Sequence, residues 1–197
     1  MRTRLQWLVV AVICLLLLIA LYPTYVHIRE TRDLQVCENN MRKIAKALIM
    51  YMGDWDDTLP PGSTWMTGAA GFLTSTTGTG FSVETYFHCP KDSSGSPSSY
   101  CYNDLLEGIN PKVKYRDDDK KDERRSFVRN PDRFPLIFEK HGSQANAHVR
   151  LDDYDALLQN LTRAHAMPEP TGVIITGSGS VIRRNDEQMV NLKGRKF

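Results

Sequence analysis

No Asp, Glu, Lys or Arg occurs between Leu5 and Ile28. Water-soluble surfaces are dense in such residues, so this stretch is not the surface of a soluble domain. As a helix rising about 1.5 Å per residue it covers about 36 Å, enough to cross a hydrocarbon core of about 30 Å. Other absences narrow the chemistry. No C-x-x-C pair is present, which argues against a zinc ribbon, and no C-x-x-C-H, which excludes covalent c-type haem attachment. No G-x-S-x-G elbow surrounds Ser63, Ser94 or Ser178. No H-E-x-x-H or i,i+4 histidine pair occurs among His27, His88, His141, His148 and His165, each read as structural or exposed. Neither sign of charge dominates: 25 Lys and Arg face 23 Asp and Glu, a net +2. That balance offers nucleic acid no electrostatic footprint. The sequence thus shows no catalytic constellation, no cofactor motif and no nucleic-acid partner.

What is present begins with a membrane anchor over residues 1–28. Trp7 stands at one interface, and Tyr22 with Tyr25 at the other. Between them Leu8–Leu21, including Leu15 and Leu18, is Leu, Val, Ile and Ala plus Cys14. Pro23 lies near the far interface, where a kink costs less than at mid-membrane. No small-x-small site follows the apolar run, so the expectation is an uncleaved anchor rather than a signal peptide. Arg2, Arg4 and the amino terminus favour a cytoplasmic start, with the large domain outside the cytoplasm.

About 165 residues follow, enough for one domain, 29–197, with its own core. Leu34, Cys37, Met41, Ile44, Leu48 and Tyr51 recur at alternating steps of three and four, an apolar stripe on a helix over 29–54. The stripe suits packing on the domain's own sheet, and a seam with another subunit is the sharper alternative. Gly53 and Asp54 end the helix, and Pro60-Pro61-Gly62 prevents resumption. Residues 55–98 read as loop-rich: 62–80 as a Gly, Ser and Thr loop with a short helical turn at most, and 90–98 as a turn. Residues 112–125 carry seven basic and five acidic side chains and read as a solvated loop, or a docking surface.

The sheet region is placed over 99–197. Ser99–Asn103, Pro135–Glu139, Gly172–Thr176 and Gly179–Arg183 are strand candidates, and Thr176-Gly177-Ser178-Gly179 reads as a hairpin connection. Asp153–Leu161 is expected to be a short helix with acidic residues at its amino end. The fold class expected is α+β, a long helix against a small, mainly antiparallel sheet. Asp54, Asp56 and Asp57 cluster after the helix end and form a calcium-loop candidate, although the Gly and distal Glu of an EF-hand are missing. Capping of the turn is the simpler reading, and no metal site is expected. In an oxidising compartment one disulfide is expected among Cys37, Cys89 and Cys101, leaving an odd thiol.

Several landmarks together resemble a known family. Cys37-Glu38-Asn39-Asn40-Met41-Arg42-Lys43-Ile44, with Ala47-Leu48, Tyr51, Asp54 and Pro60-Pro61, is similar to the opening of bacterial type IV pilin-like and type II secretion pseudopilin-like proteins. Cys89-Pro90-Lys91-Asp92, Ser99-Tyr100-Cys101-Tyr102-Asn103 and Pro135–Glu139 resemble later landmarks of the group with an H-x9-DG ending, and His165 to Val181 takes the place of its terminal hairpin. The chain departs from the family at both ends. Leu5-Gln6-Trp7-Leu8 has neither the Gly cleavage site nor the membrane-embedded Glu, and Ser178-Gly179-Ser180 stands where the family has Asp-Gly-His. Cys37 and Cys89 both fall on family landmarks, so the resemblance implies a Cys37–Cys89 disulfide, with Cys89–Cys101 as the alternative. It further implies a pilin-like domain on the outer, periplasmic side of a bacterial inner membrane.

The expected function is a non-enzymatic, single-pass structural or accessory subunit. Partner subunits would meet its membrane helix, residues 29–50 and residues 112–125. The alternatives are a minor pseudopilin or a membrane-tethered binding domain.

Overall fold

A computed structural model describes residues 2–77, 82–108, 131–151, 153–165, 169–185 and 187–188. The apolar run and the amphipathic stripe form one helix, α1 (Arg2–Asp54), which continues through Pro23. Its 53 residues span about 80 Å. Side chains described from Arg4 to Arg29 are exposed, Trp7 and Tyr22 among them, and full burial begins at Leu34. The amino-terminal part of α1 is long and apolar enough to cross a membrane.

Leu34, Cys37, Met41, Ile44 and Leu48 are buried and Tyr51 is half-buried, so the stripe lies against the chain's own domain. Asp56 and Asp57 stop the helix with positive φ (51° and 58°), and the Asp57 amide donates to the Met52 carbonyl at 2.8 Å.

The strands are β1 (Ser98–Asn103), β2 (Pro135–Ser143), β3 (His148–Val149), β4 (Thr171–Thr176) and β5 (Val181–Asn185), in spatial order β3-β1-β2-β4-β5. All pairings are antiparallel except β1 with β3, which makes the sheet mixed. Helix α2 (Trp65–Thr77) packs beside α1, and α3 (Tyr154–Asn160) covers the opposite face.

The sheet is therefore a middle layer. Tyr100, Tyr102, Ile137, Val173 and Ile175 meet α1 and α2, while Cys101, Phe138 and Ile174 meet Tyr154, Leu157 and Leu161. Alternate residues point to opposite faces, and both faces are covered, so β1 and β4 are buried throughout. A register shift between Pro135 and Ile137 lets Leu136 and Ile137 join the same cluster.

Three expectations need correction. Residues 62–80 are not a loop with one helical turn, because α2 occupies Trp65–Thr77. Trp65 is wholly buried, stacks on Tyr102, and donates from Nε1 to the Ala147 carbonyl at 3.0 Å. Gly68 allows α2 to close on α1, since a Cβ there would meet the Tyr51 ring at 3.0 Å. The second strand runs four residues past Glu139, to Ser143. The last strand begins at Val181 rather than Gly179, because Gly179 turns the hairpin with φ +83°. Residues 112–125 lie outside the described residues.

Candidate functional site

Where α1 enters the domain, four of its residues are joined to other elements. Cys37 is disulfide-bonded to Cys89, with a Cα–Cα distance of 5.1 Å. Glu38, one residue on, is buried and paired with Arg183 of β5, whose Nη2 lies 3.0 Å from Oε2. Asn40 donates to the His88 carbonyl at 2.9 Å. Glu30, two turns earlier, pairs with Lys91. These contacts form a collar around the point where the bare half of the helix begins.

The disulfide pairing implied by the resemblance is the one found, and Cys101 and Cys14 are free. The Cys89–Cys101 alternative fails on geometry. Cys101 lies between Tyr100 and Tyr102 in β1, so its side chain points to the far face, beside Phe138 and Ile174. Burial pushes its thiol pKa up to about 11, despite the charge of Lys140, so the thiol stays protonated at neutral pH.

Beneath the collar lies a buried polar group that the sequence did not foretell. Glu139 is the fifth residue of β2, opposite Tyr100, and therefore faces α1. Its side chain is fully buried. Oε2 accepts the Val173 amide at 3.2 Å. Oε1 lies 2.9 Å from His141 Nε2 and 3.2 Å from His165 Nε2. Burial alone would raise the Glu139 pKa, but hydrogen bonds from both imidazoles outweigh it and hold the carboxyl below its ordinary value.

His165 is held by reciprocal backbone bonds to Thr171, at 3.3 and 2.7 Å. Its Nε2 reaches Cys89 Sγ at 3.5 Å. Ligand atoms of Cys37, Cys89, Glu139 and His165 all lie within 4.8 Å of one another, and all four residues are buried.

No metal site is expected from the histidine spacing, whereas His165 and His141 converge on one carboxylate. Glu139, directly after the apolar run Leu136–Phe138 of β2, was the signal that could have exposed the group. Among the described residues, the aspartates singled out for calcium are not in such a cluster: Asp54 ends α1, Asp56 and Asp57 form the turn after it, and their ligand atoms are not among those that converge.

A cavity of about 830 Å³ runs along α1 beside the collar, lined by Val36, Asn40, Lys43, Tyr86, His88 and Cys89 among others. Of the two disulfide-bonded cysteines, Cys89 is the one on its wall. No family model, no curated protein and no solved structure matches this chain.

Proposed function

We propose that this chain is a non-enzymatic, single-pass structural or accessory subunit of a bacterial inner-membrane assembly. Its pilin-like domain stands on the periplasmic side. The observation that carries this reading is α1 itself: one continuous helix whose first half is apolar and bare, and whose second half is clamped into a domain core. A clamped helix transmits position, because the domain cannot swing freely about the anchor. The disulfide supports an oxidising location for the domain. Partners meet the membrane helix and the exposed face of residues 29–50.

The test is a pull-down through a C-terminal tag in mild detergent, with native mass analysis. A defined complex with other membrane proteins is expected. A lone monomer across detergents would overturn the subunit reading and leave a tethered binding domain. The length of α1 and its packing on the sheet also favour a second reading, a minor pseudopilin. Pilin-like partners in the same experiment would select it.

A further inference from the structure

We infer that Cys37, Cys89, Glu139 and His165 form a redox-gated site for a zinc-type divalent cation. The disulfide and the bound ion are two alternative ways of tying α1 to the sheet.

The donor set specifies the ligand. Two thiolates, one imidazole and one carboxylate suit Zn²⁺, which prefers four nitrogen, sulfur and oxygen ligands in a tetrahedron. Mg²⁺ and Ca²⁺ require all-oxygen shells and do not fit two sulfurs. The spacing agrees. A tetrahedron with Zn–S near 2.3 Å has its two sulfurs about 3.8 Å apart and its other corners a little closer. His165 Nε2 is 3.5 Å from Cys89 Sγ and 3.2 Å from Glu139 Oε1, so both of its separations stand near those values, and all four donor atoms lie within 4.8 Å of one another. The two bonded sulfurs must part, and Cys37 sits on a different element from Cys89.

Neighbouring groups hold the ligands in place by hydrogen bonds. The Val173 amide holds Glu139 Oε2 and His141 holds Oε1. The backbone of His165 is pinned to Thr171, and the Cys89 amide donates to Ser99 Oγ at 2.9 Å.

The chemistry balances. A dithiol reductant gives two electrons and two protons to the cystine and itself becomes a disulfide; the S–S bond breaks and two thiols remain. The divalent cation then displaces both thiol protons to solvent, so two thiolates and the Glu139 carboxylate face a 2+ charge, with neutral His165 as fourth ligand. Oxidation reverses the sequence and expels the ion, because the sulfurs cannot bond each other and the metal together. The cavity against Cys89 is the approach for reductant and ion. Nothing in this inference depends on the membrane assembly proposed above.

The experiment uses the full chain in detergent micelles, with and without anaerobic reduction by a phosphine, titrated with Co²⁺ and then Zn²⁺. The reduced chain is expected to take one Co²⁺, with thiolate-to-metal absorption in the near ultraviolet and the strong visible bands of tetrahedral cobalt. Zn²⁺ bleaches both. The oxidised chain takes none at the same concentrations. His165→Ala and Glu139→Gln should each weaken binding by at least about tenfold. Because those variants could misfold, alkylation of the reduced wild type supplies a second readout. Zn²⁺ should slow modification of Cys37 and Cys89 and leave Cys14 unchanged. Equal uptake by reduced and oxidised chains, an octahedral cobalt spectrum, or unprotected Cys37 and Cys89 would each overturn the inference.

Discussion

At the scale of single residues, Asp92 holds the turn that presents Cys89. Its Oδ1 accepts the Ser94 amide at 3.0 Å, and its Oδ2 accepts Ser99 Oγ at 2.8 Å and the Gly142 amide at 3.1 Å. Ser99 Oγ in turn receives the Cys89 amide, so one carboxylate ties the turn, β1 and β2 to the cystine. Partial burial pushes the Asp92 pKa upward, but the hydrogen bonds from Ser94, Gly142 and Ser99 prevail and hold it well below the usual carboxylate range. A group depressed in the folded state stabilises fully above its unfolded pKa of about 4, and that contribution fades as pH falls towards the folded value. Asp92→Asn replaces one acceptor oxygen by a donor and should cost about 1–3 kcal/mol at neutral pH. Melting curves from pH 7 to pH 3 check both parts. The gap between wild type and variant should be constant above about pH 5 and shrink below about pH 4. A gap that does not change with pH would mean that Asp92 acts through shape alone.

At the scale of elements, legibility followed locality. The stripe of α1 could be read because its periodicity is carried by neighbours along the chain, from Leu34 to Leu48. The strands could be placed but not bounded, since both faces of the sheet are covered and β1 and β4 lack polar alternation. Helix α2 was missed because its start is fixed from outside. Asn146 Oδ1, eighty residues away, accepts the Met66 amide at 2.8 Å, and the 3-10 turn Gly62–Thr64 that leads into Trp65 has no side-chain cap at Pro61. The buried tetrad was illegible for the same reason: its residues come from α1, a turn, β2 and the approach to β4. The remote cap makes a prediction for α2. Asn146 has φ +54°, so Asn146→Ala loses the cap and strains the backbone, together about 2 kcal/mol. Asn146→Gly loses the cap alone and should cost about half as much. Equal losses in chemical denaturation would show that strain plays no part.

At the scale of the whole molecule, the chain divides at the collar rather than at a linker. Helix α1 has no break between its bare and packed halves, so composition, not backbone geometry, separates the apolar half from the domain. Exposed Leu, Val and Ile from Leu8 to Ile28 contribute nothing to the domain's own core, whose first buried α1 residue is Leu34. The disulfide and the Glu38–Arg183 and Glu30–Lys91 pairs all lie on the domain side of residue 29. A chain beginning at residue 29 therefore keeps every collar contact and loses only surface that water disfavours. It should be soluble without detergent, retain the Cys37–Cys89 bond, and match the full chain's stability within about 1 kcal/mol, or about 4 °C in melting temperature. Size-exclusion chromatography, non-reducing peptide mapping and a thermal melt check the three parts. A larger loss of stability would mean that the first half of α1 supports the domain through contacts not made within a single chain. Solubility with unchanged stability would show that the domain folds without that half. Reducing the truncated chain then measures the tie itself: loss of the cystine should cost about 2–4 kcal/mol, because the bond closes a long loop whose ends are 52 residues apart.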